Sequence, residues 1–364
     1  MPAVTATIPF DRVYSTTAAA ERSTVAMEIV QSNPLLWHFY RQGAVVYDGG
    51  TEVRQPIVLT ESSNIGAIGT YGTFATTPED GPDKARYHTW YKNRASMVID
   101  NTELAQNRGK YQIVNLLQAK MAIAKISMIN DLARQLHGTG GTQFLPAPVA
   151  PLEINGLASM IEQAAPGAQI QTPGGISKAA YPRWDNQFAQ ITAFGTDGLD
   201  VWEQIYMDCS QRGTHPDIML TDPQVYRFFK RLVAPNQEER DVALWNQGFE
   251  NLLFNGTPVV PDEELATTGL TYFLTTSGKR GVNDFNLKPE YFEVPGKNPL
   301  AQGKGTGIGL QLAILSSDDF RQTEFLTPPN SDVILSHTYF TSMLVASSLG
   351  RQGVTNFVGG VPIF

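Results

Sequence analysis

The chain has 364 residues, room for two or three domains with ample core in each. Lys and Arg total 27 against 35 Asp and Glu, a formal net charge of -8 that argues against a nucleic-acid-coating protein, although an acidic shell can still enclose DNA without gripping it. Charged residues are only 17% of the chain, below the roughly 25% of soluble domains, so either much of the surface faces partners or it is rich in Gly, Thr, Asn and Gln.

The N-terminal segment MPAVTATIPFDRV lacks the basic start and apolar run of a secretory signal, and no stretch of eighteen apolar residues follows anywhere. A soluble chain folded in a cytoplasm is expected. Residues 1 to about 50 read as an arm: a Thr, Ala and Pro-rich lead, a short helical stretch at 18–31, then Asn33-Pro34 and the aromatics Trp37, Phe39 and Tyr40. Such a Pro-interrupted segment is poorly suited to a core of its own, and three aromatics in four positions favour a strap across another surface.

From Ile57 to Met97 the chain forms a long polar ribbon. PIVLTES begins as strand, GAIGTYGTFATTPEDGPDKARYHTW is turn-prone, and YKNRASMVID returns as strand. The pattern predicts an extended hairpin, which is only marginally stable alone, so it is expected to lie on a neighbouring copy. Tyr71, Phe74, Tyr87 and Trp90, with Arg86 and Lys92, are the expected contacts, since aromatics and Arg anchor interfaces; for Trp90, packing at the hairpin base is the competing reading.

A helix of about thirty residues is predicted from Glu103 to His137, spanning about 45 Å. Val114, Leu117, Met121, Ala124, Met128 and Leu132 make one apolar stripe, and Ile113, Leu116, Ile123, Ile126 and Ile129 an adjoining one. Gly138 ends it, and FLPAPVAPLE reads as a linker.

Residues 152–300 have α/β character. GLASMIEQA, GLDVWEQIYMDCSQRG and PQVYRFFKRLV read as helices; HPDIMLTD, FNGTPVVPDEEL and LTYFLTTSG as strands and turns. The long strands GLQLAILSSDDF and DVILSHTYFTSMLVASS then need an apolar partner, and the spine helix is the available one. The expected architecture is discontinuous, with helix 103–137 beside strands 308–348 and 152–300 inserted between them.

Motifs for chemistry are few. The single cysteine, Cys209, rules out an intrachain disulfide, and His38, His88, His137, His215 and His337 show no metal-ligand spacing. GKGTGIG at 303–309 lacks the order of a phosphate loop and precedes a strand instead of a helix. The carboxylate clusters Glu79, Asp80, Asp83 and Asp262, Glu263, Glu264 sit in turn-like sequence without a visible cleft. Neither an enzyme activity nor a cofactor or metal is expected.

The order of these elements resembles the major capsid proteins of tailed double-stranded DNA bacteriophages, the Hong Kong 97 type. THPDIMLTDPQVYRFFKRL at 214–232 is similar to the helix-strand-helix step of that family's axial domain, and FNGTPVVPDEELATTGLTYFLTTSG at 254–278 to its strand, aspartate turn and strand. The resemblance implies an α+β capsid fold with an N-terminal arm at 1–56, an extended loop at 57–97, a peripheral domain with the spine helix at 98–150, an axial domain at 151–300, and peripheral strands with the C-terminus at 301–364. It further implies a structural head protein that assembles with itself into pentamers and hexamers around double-stranded DNA, inside a host bacterial cytoplasm, with a separate scaffolding protein, a portal and possible decoration proteins as partners. Lys84 or Lys92 and Asn330 occupy the regions where some members cross-link, but exposed loop lysines are ordinarily solvated, and no cross-link is expected here. Two alternatives stand beside this reading: an encapsulin-type nanocompartment shell, and an α/β enzyme or binding protein whose ribbon is a lid.

Overall fold

The computed structural model describes residues 33–42, 45–57, 59, 83–87, 90–102, 110–138, 153–210, 214–233, 240–246, 248–276, 309–327 and 332–358. The predicted helix at 18–31, the ribbon tip with Tyr71 and Phe74, the glycine-rich 303–308 and Asn330 lie outside them.

The arm's aromatics belong to a helix, α1 (Pro34–Gln42). Asn33 caps it: its Oδ1 accepts from Leu36 N at 2.9 Å, and Pro34 fills the first helical position, where no N–H is required. Leu35, Leu36 and Phe39 are buried in the chain's main core, so this segment packs against its own subunit where a strap across another was expected.

The ribbon also pairs differently. β1 (Val45–Tyr47) is followed by β2 (Val53–Ile57), which is antiparallel to β3 (Asp83–Tyr87) with Val53 opposite Tyr87 and Ile57 opposite Asp83. The return strand of the hairpin is therefore 83–87. YKNRASMVID becomes β4 (Tyr91–Asp100) and pairs instead with the C-terminal strand, because its alternation of buried Tyr91, Asn93, Met97 and Ile99 with exposed Lys92, Arg94, Ser96 and Val98 needs a core on one side.

The spine helix α2 (Lys110–His137) lies against β4, where Met121 meets Met97 and Ile99, while Met128, Leu132 and Leu136 enter the main core. Beyond the short α3 (Leu157–Met160), which is all the helix that GLASMIEQA forms, come β5 (Gln187–Ile191), α4 (Leu199–Cys209), β6 (Ile218–Thr221), α5 (Pro223–Val233), α6 (Val242–Asn246), β7 (Leu252–Phe254), β8 (Thr257–Pro261) and β9 (Leu270–Leu274). The last strands are β10 (Leu310–Leu315), β11 (Arg321–Gln322), β12 (Val333–Ala346) and β13 (Gly353–Phe357). Asn255 and Gly256 both take positive φ, 48° and 81°, and make the tight β7–β8 turn.

Two sheets result. One runs β1-β10-β12-β11, with β4 also paired to β12; the other runs β5-β13-β9-β6-β8-β7. The second sheet contains β13, so the C-terminal segment returns to the 152–276 body; residues 353–357, expected among the peripheral strands, belong elsewhere. β13 lies parallel to β5 and antiparallel to β9. The central strands β9 and β6 are buried along their whole length because α4 and α5 cover one face, around Trp202, Phe229 and Phe273, while Ile218, Leu220, Tyr272 and Leu274 join the main core.

Where β4 ends at Tyr91, opposite Ser342, the remaining residues of β12 lose a strand neighbour on that side. Side chains take its place. The Asn155 carboxamide accepts from Leu344 N at 2.8 Å and donates to Leu344 O at 2.7 Å, and the Tyr87 hydroxyl accepts from Ala346 N at 3.0 Å and donates to Ala346 O at 3.1 Å. Both satisfy backbone groups that would otherwise be buried unpaired. Asn155 can reach β12 because Gly156 sits against the end of α2: a Cβ there would collide with the carbonyl oxygens of Gln135, Leu136 and Gly138. Gly156→Ala is therefore expected to lower unfolding stability by about 1–3 kcal/mol in a urea titration, while Gly167→Ala, whose Cβ meets nothing within 4 Å, pays only for its positive φ and shifts the midpoint less.

Candidate functional site

The expected contact residues separate into three groups. Phe39 and Tyr87 are 2% and 4% exposed in the single chain and have almost no surface left for a second one; in Tyr87 the hydroxyl is also consumed by Ala346, and burial pushes its pKa above the ordinary tyrosine value. Trp37 and Tyr40 are partly buried. Trp37 packs 6.1 Å from Phe249 with the Arg41 guanidinium 5.2 Å over its ring, and Tyr40 donates to Asp319 Oδ1 at 3.3 Å, its pKa raised by burial first and by Asp319 second. Trp90 donates its indole N–H to Gly50 O at 2.9 Å and stands edge-on to Tyr47 at 5.9 Å, which is packing at the base of the hairpin.

Arg86 is exposed on β3, directly opposite Arg54, whose charge is paired with Glu52. Lys84 lies on the same strand opposite Pro56. Lys92 is half-exposed yet engaged within the chain: its ammonium is 2.9 Å from Asp318 and 4.1 Å from the Tyr339 ring. Asp318 also accepts from Arg321 Nε at 2.8 Å and Thr341 Oγ1 at 3.1 Å, and although burial pushes its pKa up, these donors bring it below the ordinary carboxylate value.

Lys92, Arg94, Ser96 and Val98 share one face of the first sheet with their cross-strand partners Thr341, Tyr339, His337 and Leu335. The spine helix covers the opposite face, so among the described residues this face is left open, basic at one end and apolar at the other, where Val98 is 47% and Leu326 62% exposed. A second apolar surface lies on the spine helix itself. Met121 and Met128 of one stripe are buried, whereas Ile123 and Ile126 of the other are 62% and 56% exposed. Two large aliphatic side chains three positions apart are neighbours on one helical face, and among the described residues nothing covers them.

The spine is anchored to the second body at its C-terminal end. His137 and Asp262 are both buried, with Nε2 and Oδ2 3.1 Å apart, and His137 Nδ1 lies 2.9 Å from Ala133 O. The other Asp262 oxygen accepts from Glu264 N at 3.1 Å, which caps the turn 263–265. Burial opposes charge on the imidazole, but the Asp262 carboxylate outweighs it and raises the His137 pKa; on Asp262 burial is likewise outweighed by His137, and its pKa is lowered.

Among the described residues no group of three or more His, Cys, Asp and Glu is placed to hold a metal ion, and no helix is long and apolar enough to cross a membrane. Cys209 is buried, and burial pushes its thiol pKa up, away from reactivity.

No family model matches the sequence, and no curated protein matches it. Solved structures do match the fold. The cyanophage A-1(L) capsid protein superimposes with a TM-score of 0.57 at 14% identity, over 86% of this chain and 89% of that one. The chain has the Hong Kong 97-type capsid fold. The SrpI encapsulin from Synechococcus elongatus PCC 7942 superimposes with a TM-score of 0.50 at 9% identity, over 86% of this chain and 84% of that one. In this Hong Kong 97-type chain the sequence pointed to the ribbon as a contact surface but missed the open sheet face, because that face exists only once β4 pairs with β12 across some 240 residues.

The His137–Asp262 pair gives the fold a defined pH response. A raised histidine pKa contributes stability that is complete below its unfolded value, about 6.5, and is lost as pH rises through the folded value. A lowered aspartate pKa contributes stability that is complete above about 3.9 and is lost as pH falls through the folded value. His137→Gln is therefore expected to cost about 3 kcal/mol near pH 6, where it strands a buried carboxylate. The gap between wild type and variant should narrow as unfolding is repeated at increasingly alkaline pH.

Proposed function

We propose that this chain is the major head protein of a tailed phage, a structural subunit without catalytic activity that closes with copies of itself, as pentamers and hexamers, into a shell around double-stranded DNA. The observation that carries this reading is the overlap of 86% of the chain with the cyanophage capsid protein. The single chain supports it physically. It buries a continuous core, yet Ile123 and Ile126 on the spine helix and Val98 and Leu326 on the open sheet face stay exposed, and large exposed apolar groups of this kind mark association surfaces. Tyr71, Phe74, Lys84 and Arg86 contact the adjacent subunit, with Trp37, Tyr40, Trp90 and Lys92 contributing only their residual exposed edges. Assembly takes place in the bacterial cytoplasm and the product is the virion capsid. Scaffolding, portal and decoration proteins are its further partners, and no membrane is involved.

A nanocompartment shell is the second reading, favoured by the overlap with the SrpI encapsulin. The contents of the particle separate the two: DNA or an empty head belongs to the first, a captured enzyme to the second.

Light scattering and negative-stain electron microscopy of the purified chain should give closed particles or capsomer rings; a monomer that never assembles, even with a candidate scaffold, would remove both readings. Replacing residues 61–80 by a short Gly-Ser turn keeps the β2–β3 pairing and its buried Tyr87. The product should unfold with the wild-type midpoint but form no closed shells, and normal shells from it would dispose of the ribbon as an assembly contact. Ile126→Lys should change subunit stability by less than about 0.5 kcal/mol, as exposed substitutions do, while reducing assembly.

A further inference from the structure

The two helices that cover one face of the second sheet carry opposite charge. In α4 the charged residues are Asp200, Glu203 and Asp208, with no cation among them; in α5 they are Arg227, Lys230 and Arg231, with no carboxylate. Residues three and four apart share a helical face, so these charges gather on single stripes. Trp202, Ile205 and Cys209 of α4 are buried, which leaves Asp200, Glu203 and Met207 along its solvent side, where Met207 is 62% exposed. Val225, Tyr226 and Phe229 of α5 are buried, which leaves Gln224, Arg227 and Arg231 along its own solvent side.

α4 lies over β5 and β13 and α5 over β8, and the two helices meet through Trp202 and Phe229, whose rings are 5.1 Å apart. One layer of the subunit therefore presents an acidic stripe beside a basic one. The stripes do not neutralise each other within the chain. Lys230 pairs with Glu250 at 2.6 Å, whereas Asp200, Glu203, Arg227 and Arg231 have no ion-pair partner among the described residues.

We propose that the α4 stripe of one subunit docks on the α5 stripe of a second copy, and that this contact sets the head-to-tail order of subunits around a ring. The inference rests on the shell reading above and names the faces that meet. Charge complementarity identifies the occupant. A nucleic acid drawn to Arg227 and Arg231 would bring further phosphates to the carboxylates of α4 in the same layer, where like charges repel. A second copy instead offers guanidinium groups to the one stripe and carboxylates to the other. Because the two stripes are different surfaces, the contact is heterologous: a pair of subunits still has one stripe of each sign open, and copies add until the ring closes. A two-fold pair that used one stripe twice would set like charges face to face. The exposed Met207 supplies apolar surface to bury, while the charges steer the encounter and reject the wrong orientation.

Paired charge reversals test this. Asp200→Lys with Glu203→Lys turns the α4 stripe basic, and Arg227→Glu with Arg231→Glu turns the α5 stripe acidic. All four positions are exposed, so each purified variant should unfold at the wild-type urea midpoint. Under conditions in which wild type forms capsomers, each variant alone should give about tenfold fewer rings in native mass spectrometry. Mixed in equal amounts, the two should regain rings of six, in which they alternate, but not rings of five, where an odd member leaves one like-charged contact. The chain carrying all four substitutions should regain both sizes. Variants that each assemble as wild type does would overturn the proposal and leave the shell reading intact. So would variants that fail alone and are rescued neither by mixing nor by the fourfold exchange. A wild type that forms no rings in the same experiment would remove the shell reading and the proposal with it.

Discussion

Residues Ser347 to Gln352 join a strand paired on both sides in one sheet to a strand paired on both sides in the other. This crossing fixes where everything else can lie. β12 must reach Ala346 opposite Leu310, and β13 must begin at Gly353 opposite both Gln187 and Phe273. There is no slack between them: a Cβ at Gly350 would stand 2.9 Å from Arg183 O, and one at Gly353 would stand 2.7 Å from both Cys209 Sγ and Ile205 Cγ2. A connector without side chains at these two points is what lets a spine-and-sheet body and an α/β body share one continuous core.

Polar side chains then close the backbone groups that the crossing leaves behind. Gln352 accepts from Thr275 N and donates to Thr275 O, both at 2.9 Å, so its carboxamide acts as the missing strand neighbour beyond β9. Thr275 O also accepts from Leu310 N at 2.9 Å, tying the start of β10 to the end of β9. Asn155 and Tyr87 do the same for β12 from the other side. The three side chains come from three separate stretches of sequence, around Tyr87, Asn155 and Gln352. The junction is held by hydrogen bonds that are buried and fully paired, and the loss of either partner would leave a desolvated backbone group, which is the expensive outcome.

Periodicity made the internal elements of each body legible. Helices 199–209 and 223–233, strand 218–221 and the Asn-Gly turn at 255–256 form where local pattern and turn chemistry place them. The spine's two stripes were also visible, and the buried Met121, Met128 and Leu132 lie on the first of them. Pairing was not legible, because register across long separations leaves no local trace. YKNRASMVID has the alternation of a strand covered on one face, but whether it returns onto Ile57 or crosses to Val333 depends on a partner 240 residues away. The α1 helix was a missed local signal: Asn33-Pro34 is a cap followed by a first-turn proline, and of the aromatics after it Phe39 is buried while Trp37 and Tyr40 keep an exposed edge.

The distribution of charge bears on how such a subunit could associate. In the open sheet face Lys92 and Arg321 share the single carboxylate of Asp318 around the Tyr339 ring, so their geometry is fixed before any partner arrives. Prefixed side chains lose little entropy on binding, which matters when each contact is small and affinity must accumulate over many. The exposed isoleucines of the spine are similarly preset by a helix whose other stripe is locked into the core. A body whose exposed apolar and cationic groups are already ordered by its own core loses little by associating, and this is the physical case for its surfaces as places of contact.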